Sequence, residues 1–201
     1  MEKKLTDHAL LIGVLGKYCQ QNCSDPEMVL KKITCLYGKQ RGKRMAQLCK
    51  ENDEDLDLNG FMVHGEWKAQ AGENVSEMLY EPKQTRSIVS VCGWYDTWKK
   101  YDLVKYGNYY CQYIDQAIAE GFGGDFTLDV SKTLGHGADH CEFCFDKGVD
   151  AAYIREMKKD ERWIRDFTFH FNELSECIAA VLGNDALNEV LALYEDLREN
   201  N

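Results

Sequence analysis

The sequence predicts an α+β fold, with an antiparallel sheet packed with helices, N-terminal helices before it and a C-terminal helical pair after it. Apolar residues recur with helical spacing from about residue 5 to residue 49. Alternation with a period of two marks 86–92 and 126–145, and helical segments lie between them. Helical spacing returns after residue 151. Helices and strands that are segregated in this order are typical of the α+β class.

Length and composition favour one main domain. The chain has 201 residues, of which 44% are hydrophobic and 11% aromatic, which is enough for a sizeable core. We assign residues 1–150 to the α+β domain. Residues 151–201 are predicted to form a helical extension that packs on this domain or on a partner, and such packing allows a homo-oligomer.

The first residues predict a helix rather than an export signal. The apolar run ALLIGVL is short, Asp7 precedes it, and no small-residue cleavage site follows. We interpret residues 5–19 as an amphipathic helix. Nothing approaches the roughly 18 consecutive apolar residues of a membrane helix, so no membrane partner is expected. Nine cysteines in a chain without an export signal indicate reduced thiols and a cytoplasmic location.

The charge distribution argues against a nucleic-acid partner. The formal net charge is −10, although residues 1–50 contain ten Lys or Arg and only four Asp or Glu. Overall acidity disfavours binding to nucleic acid. The basic stretch KQRGKRM (39–45) has two interpretations: it is a solvated helix face, or it holds an anion.

The first strands are expected after an acidic loop at 51–60. FMVHGEW (61–67) and RSIVSVC (86–92) both have the composition of strands, and the second has two apolar faces typical of a central strand. The segment at 71–83 between them suits a loop with one helical turn.

Two helices are expected to follow, at 93–107 and 108–122. In the second helix Cys111 and Asp115 are four residues apart, so they share one face. The sequence therefore predicts a thiol beside a carboxyl group on this helix.

Residues 126–146 predict a β-hairpin. FTLDVSKTL (126–134) alternates cleanly, and HCEFCFD (140–146) forms the second strand. A zinc site needs both thiolates to converge on one ion, but a strand aims Cys141 and Cys144 to opposite faces. We therefore predict no metal site and no cofactor. The least favoured alternative is a metal site made of His136, His140, Cys141 and Cys144.

Three cysteines are candidates for one pocket. Cys92 ends a predicted strand, Cys111 lies beside Asp115, and Cys141 faces inward. Asp115 raises the pKa of a neighbouring thiol, so it suits proton transfer or substrate binding better than thiolate activation. The alternative is a sulfur-rich core with one satisfied polar pair. A reactive thiol needs a cation or a base, and the candidates are His64, His136 and His140.

The order of these residues resembles the L-2-amino-thiazoline-4-carboxylic acid hydrolase family. The pattern is a cysteine with W-x-x-x-W, a glycine before Tyr-Cys-x-x-Ile-Asp, a Gly-Phe pair and a late Leu-x-x-Gly-x-x-x-Cys-x-Phe. YGKQRGKRMAQ is similar to the family's first-half helix, and the resemblance covers about residues 28–147. Gly93 departs from the pattern, which has proline there. The matching residues are Cys92, Trp94, Trp98, Gly107, Tyr110, Cys111, Ile114, Asp115, Gly121, Phe122, Leu134, Gly137, Cys141 and Phe143.

The resemblance implies that residues 1–150 are a hydrolase-like domain, with a pocket between helices and sheet as in 4-vinyl-reductase-type ligand-binding folds. It implies a small-molecule substrate and hydrolysis of the C–N bonds of a cyclic amidine or amide, opening 2-amino-thiazoline-4-carboxylate to N-carbamoyl-cysteine. The candidate catalytic residues are Cys111 or Cys92 as nucleophile or pocket wall, Asp115 for amidinium binding or proton transfer, and His140 as acid or base. The candidate substrate-binding residues are Arg41 or Arg44 for the carboxylate, with Trp94, Trp98, Tyr110, Cys141 and His64 around the pocket.

Two further hypotheses stay open. The first is a non-catalytic small-molecule-binding or sensor module of the same fold, which predicts saturable binding without turnover. The second is a metal-binding protein, which predicts stoichiometric metal in the purified chain.

Overall fold

The computed structural model describes residues 2–200 and confirms the α+β class. Over these residues it contains eight α-helices and one four-stranded antiparallel sheet. The helices are α1 (Leu5–Asn22), α2 (Pro26–Glu51), α3 (Leu58–Val63), α4 (Gly93–Lys100), α5 (Val104–Phe122), α6 (Ala151–Met157), α7 (Phe167–Leu182) and α8 (Asn184–Glu199). The strands are β1 (Asn74–Glu81), β2 (Gln84–Cys92), β3 (Leu128–Lys132) and β4 (Cys141–Phe145).

Helix α1 confirms the helix expected at 5–19, but its amphipathic character was predicted wrongly, because the helix is central in the fold. Every residue from Ala9 to Gly16 is buried, because α2, α4, α5, α7 and α8 all contact α1. A helix that is apolar all round is typical of one surrounded by other elements. No helix within residues 2–200 has the length and apolar character needed to cross a membrane.

Glycines bring α2 and α5 into close contact. A Cβ atom at Gly42 of α2 would lie 2.1 Å from the carbonyl oxygen of Ile118 in α5. A Cβ atom at Gly38, one turn earlier, would lie 3.1 Å from the carbonyl oxygen of Ile114. The two backbones can approach this closely only because these glycines have no side chain.

The sheet has the strand order β1-β2-β4-β3, and its three pairings are antiparallel. Strand β2 is central, as predicted for 86–92, and pairs with both β1 and β4. Strands β3 and β4 pair with each other in the predicted hairpin. Helix α5 contacts β3.

Two local predictions between residues 61 and 83 are wrong. Residues 61–67 are not a strand, because α3 ends at Val63 and the following four residues have no regular structure. Asp57 starts α3 by accepting a hydrogen bond from the Gly60 N–H at 3.0 Å. The expected loop at 71–83 instead contains β1. As the edge strand it has no buried residue, so its alternation was weak in the sequence.

The predicted helical extension at 151–201 consists of the short helix α6 followed by the pair α7 and α8. Asp166 caps α7 by accepting a hydrogen bond from the Phe169 N–H at 2.8 Å. Helix α7 contacts α1 and α2, and α8 contacts α1 and α7. Val190 and Tyr194 of α8 are completely buried. The C-terminal pair thus covers the helical layer of its own chain, and self-association through it stays a prediction.

Replacement of Gly42 by alanine is expected to lower the free energy of unfolding by roughly 1–3 kcal/mol, the usual cost of overpacking. The new methyl group meets helix backbone, which cannot rotate aside as a side chain can. Urea unfolding measures the effect. Gly65→Ala is the matched control, because a Cβ atom there has no neighbour within 4 Å. Equal midpoints for the two variants would contradict the close α2–α5 packing.

Candidate functional site

A cavity of about 270 Å³ is enclosed by helices α2 and α5 and one face of the sheet. Cys141, Phe143 and Phe145 of β4 face it, as strand alternation predicted. Most of the wall is apolar or aromatic. Among the lining residues that the structure describes, only Arg41 and Asp115 carry a formal charge.

Asp115 places a carboxyl group in this cavity from helix α5. Burial raises the pKa of Asp115 to about 6, because the ionised form loses hydration, while Arg41 acts in the opposite direction. A carboxyl group with this pKa is mostly ionised at neutral pH and accepts a proton more readily than an ordinary aspartate. It can therefore serve as a general base.

Arg41 places a guanidinium group in the cavity from helix α2. It is 6% exposed, and its Nε donates a hydrogen bond to Glu66 Oε2 at 3.3 Å. Within residues 2–200, Glu66 is the one side chain that accepts a hydrogen bond from it. The Nη groups of Arg41 can thus donate to an anion in the cavity.

Arg44, the second predicted arginine, donates its hydrogen bonds to carboxylates outside the cavity. Its Nε and Nη2 donate to the two carboxylate oxygens of Glu66 at 2.6 and 2.9 Å. Its Nη1 donates to Glu173 of α7 at 2.5 Å. Arg44 does not line the cavity; it anchors the carboxylate that holds Arg41.

The three predicted cysteines all line the cavity. Burial raises the pKa of Cys92 to about 11. Burial also raises the pKa of Cys111 well above its usual value, and the nearby Cys92 and Asp115 raise it further. Burial raises the pKa of Cys141, although the Leu134 N–H, 3.3 Å from its sulfur, lowers it in part. All three are therefore protonated thiols at neutral pH.

Two of the three aromatic candidates line the cavity, and the third lies in the hydrophobic core. Trp94 and Tyr110 line the cavity. The Trp94 Nε1–H donates to Nδ1 of the buried His8 at 3.0 Å, which fixes the indole ring. Trp98 does not line the cavity. It is completely buried, donates to the Ala9 carbonyl oxygen at 2.8 Å and packs on α5, so its role is structural.

The histidine candidates do not join the cavity. His140 precedes Cys141, so strand alternation points it to the other face, where its Nδ1 lies 2.6 Å from Asp139. His64 is buried beside Glu54 at the end of α3. His136 Nδ1 forms a hydrogen bond of 2.7 Å with the Thr133 hydroxyl group. Cys144 lies on the outer face of β4 and does not line the second cavity with His136. The catalytic role of His140 and the binding role of His64 stay predictions without contact to this cavity.

A second cavity of about 330 Å³ adjoins the first. Cys111 and Thr133 line both cavities, so they form the boundary between them. The second cavity has a more polar wall, to which Gln112, Gln116 and His136 contribute.

Several cavity residues were not predicted. Phe61, Met62 and Trp67 belong to 61–67, where a strand is expected from the sequence. Asn74 and Met78 belong to β1, where a loop is expected. No local pattern marks these residues, because Glu66, whose ion pairs hold this segment, lies among mixed polar and apolar neighbours in FMVHGEWK (61–68).

Replacement of Asp115 by asparagine is expected to stabilise the fold at pH 8 but not at pH 4. The folded-state pKa of about 6 exceeds the ordinary 3.8, so the wild type loses stability as pH rises through 6. Asparagine does not titrate, and the gain above pH 6 should be roughly 2–3 kcal/mol. Urea unfolding of both proteins at each pH measures it. A difference that does not change with pH would show that Asp115 is not desolvated.

Comparison with known protein families covers the part of the chain that forms the first cavity. The family model described as L-2-amino-thiazoline-4-carboxylic acid hydrolase matches residues 4–145. This extends the similarity N-terminal to the 28–147 expected from motifs, and it includes every residue that lines the first cavity. No curated protein and no solved structure matches the chain. Because the match covers most of the 201 residues, the chain belongs to the L-2-amino-thiazoline-4-carboxylic acid hydrolase family.

Proposed function

We propose that the chain hydrolyses a small cyclic amidine that carries a carboxylate, with 2-amino-thiazoline-4-carboxylate as the first candidate substrate. The observation that carries this proposal is the pairing of one guanidinium and one carboxyl group in an otherwise uncharged cavity. The substrate has the complementary groups, a carboxylate for Arg41 and an amidinium for Asp115. The family name supports the same substrate.

The size and wall of the cavity suit this substrate. Its volume of about 270 Å³ lies just below the range of drug-sized ligand cavities, roughly 300–1,000 Å³. The substrate is one five-membered ring with two small substituents. Trp67, Trp94 and Phe143 supply flat apolar surface for the ring, and the thiols supply polarisable contacts for its sulfur.

The chemistry requires water to add to the C2 carbon, which is electrophilic because it lies between two nitrogens and a sulfur. Formation of N-carbamoyl-cysteine breaks the C2–S bond, whereas cleavage of the ring C2–N bond gives S-carbamoyl-cysteine. The family resemblance implied both C–N cleavage and the product N-carbamoyl-cysteine. These two expectations are incompatible, because C–N cleavage gives a different product. We favour C2–S cleavage, because a thiol with a pKa of about 8.5 leaves more readily than an amine.

Asp115 supplies the proton transfers in this proposal. Its carboxylate takes one proton from the attacking water as the C2–O bond forms. When the C2–S bond breaks, the same group returns that proton to the departing sulfur. The second water proton goes to solvent as the carbonyl forms, so an amidinium and one water give a neutral urea, a thiol and one released proton.

Attack by a cavity cysteine is less well supported than attack by water. A thiolate nucleophile needs a nearby cation or base, but burial and the neighbouring Cys92 and Asp115 all raise the pKa of Cys111. Arg41 acts on Asp115 instead. The second cavity, which adjoins Cys111, is the proposed route for the water.

The first test incubates the purified, reduced chain with 2-amino-thiazoline-4-carboxylate and follows the product by mass spectrometry and with a thiol reagent. A product heavier by one water that carries a free thiol supports C2–S hydrolysis. A product of the same mass without a free thiol supports the hydrolase and moves the cleavage to C–N. Saturable binding without any product would overturn the enzyme and favour the binding-module hypothesis.

Asp115→Asn is expected to lower kcat by roughly 10²- to 10⁴-fold, the usual contribution of a general base, whereas Cys111→Ala should retain most of its kcat. The wild-type kcat/KM should rise with pH through about 6 and then level off, because the ionised Asp115 of the free protein is the active form. Cys144→Ala on the outer face of β4 is the control for loss of a thiol. Loss of turnover in Cys111→Ala with activity kept in Asp115→Asn would reverse the two roles.

Arg41→Lys is expected to raise KM more than it changes kcat, because it removes a forked hydrogen bond to the substrate carboxylate but keeps a positive charge. A charged hydrogen bond contributes about 1.5–3 kcal/mol, which corresponds to roughly 10- to 100-fold in KM. Steady-state kinetics measure this change. Arg155→Lys, which changes an exposed arginine of α6 outside the cavity, is the matched variant and should change KM little. Equal effects in both variants would place the carboxylate elsewhere.

A further inference from the structure

A second cluster of chemically active side chains lies outside the cavity, where α2, the loop after it and α3 meet. Cys49, Glu54 and His64 bring one sulfur, one oxygen and one nitrogen within 4.8 Å of one another. Within residues 2–200 no other group of three such ligands meets this distance. Cys49 and His64 are completely buried, and the Glu54 side chain is 12% exposed. The proposed hydrolysis uses none of the three.

The imidazole of His64 already faces another ligand of the cluster. Its Nε2 lies 2.5 Å from Glu54 Oε2, so the two atoms share one proton. An ion bound by all three residues would take the place of that proton between Nε2 and the carboxylate. The ring proton would then lie on Nδ1, which is buried and has no hydrogen-bond partner within the described part of the chain.

The cluster also has an excess of acidic groups. Glu54 has His64 as its ion-pair partner, and no Lys or Arg among residues 2–200 forms an ion pair with Glu54 or with the neighbouring Asp57. Gly60 allows α3 to approach the thiol closely, because a Cβ atom there would lie 2.8 Å from Cys49 Sγ. The surroundings are apolar, with Trp163 edge-on to the His64 ring at 4.7 Å. A dication is the species that this buried set lacks.

We propose that Cys49, Glu54 and His64 bind a transition-metal dication, Zn²⁺ in the first instance, which fixes α3 to the end of α2. Sulfur and imidazole ligands select zinc-like ions over Mg²⁺ or Ca²⁺, which take oxygen ligands. Cys49 releases its proton to solvent as the sulfur binds the ion. Three protein ligands leave one position of the tetrahedron for water.

The ion would act on the cavity through α3. Phe61 and Met62 of this helix line the cavity, and His64 caps the same helix. A metal that holds His64 therefore fixes one cavity wall without touching substrate. The site does not depend on the proposed hydrolysis, so either proposal can fail while the other stands.

The test titrates the full chain, first treated with a chelator and reduced, with Co²⁺, whose thiolate charge-transfer absorption reports a sulfur ligand. Absorption that saturates at one Co²⁺ per chain and disappears when Zn²⁺ is added is expected. Zn²⁺ should also raise the Tm of the wild-type chain. Absence of saturable binding overturns the site.

Variants assign the ligands. Cys49→Ser and His64→Gln should abolish the absorption, and Glu54→Gln should weaken binding at least roughly 10-fold while the fold is kept, because Glu54 is the least buried of the three. Cys177→Ser is the matched control, since this thiol is equally buried but lies on α7. Circular dichroism checks each fold. Should a Cys49 or His64 variant not fold, Glu54→Gln decides. The assignment is overturned if Cys141→Ser loses the Co²⁺ charge-transfer absorption. It is also overturned if Glu54→Gln and Cys49→Ser both keep that absorption.

Discussion

The buried carboxylate of Glu66 joins the parts of the chain that form the charged end of the cavity. It is 1% exposed and accepts hydrogen bonds from both Arg41 and Arg44 of α2. Its backbone carbonyl accepts the N–H of Arg165 at 2.7 Å, and Arg44 extends the network to Glu173 of α7. A buried ion that lost its partner would destabilise the fold by about 3–5 kcal/mol. The irregular segment after α3 is therefore held in place by these ion pairs and one backbone hydrogen bond, and not by pairing within the sheet.

This network also sets the charge states around the cavity. Two guanidinium groups share Glu66, and Arg41 adds to the effect of burial on two neighbouring histidines. Burial lowers the pKa of His8 to about 3 and that of His170 to about 2, and Arg41 lowers both further. Both rings are neutral at physiological pH. Asp115 alone, among the groups that line the cavity in the described chain, titrates near neutrality.

Local patterns predicted those parts of the fold and site in which one element acts by itself. Helical spacing placed Cys111 beside Asp115 on α5, and strand alternation placed Cys141 inside and Cys144 outside, because each depends only on backbone geometry. The position of Trp67 depends instead on the buried ion pair of the preceding Glu66 with α2, and no local period contains that information. For the same reason, the sequence did not indicate whether Arg41 or Arg44 faces the cavity. They lie three residues apart on one helix, and only the tertiary partners Glu66 and Glu173 separate their roles.

Ionised thiols and a working Asp115 base are mutually exclusive in this cavity. A thiolate at Cys111 would place a second negative charge four residues from Asp115 on the same helix, and that charge would raise the carboxyl pKa beyond its present value of about 6. The carboxyl group would then be protonated at neutral pH and unable to accept a proton from water. Burial prevents this outcome, because it penalises the thiolate and keeps Cys92, Cys111 and Cys141 neutral. Neutral thiols also keep the wall weakly polar, so in the proposed reaction the fields of Arg41 and Asp115 would act on the amidinium with little screening. In this proposal the cysteines that suggest nucleophilic catalysis in the sequence serve the carboxylate by remaining unreactive.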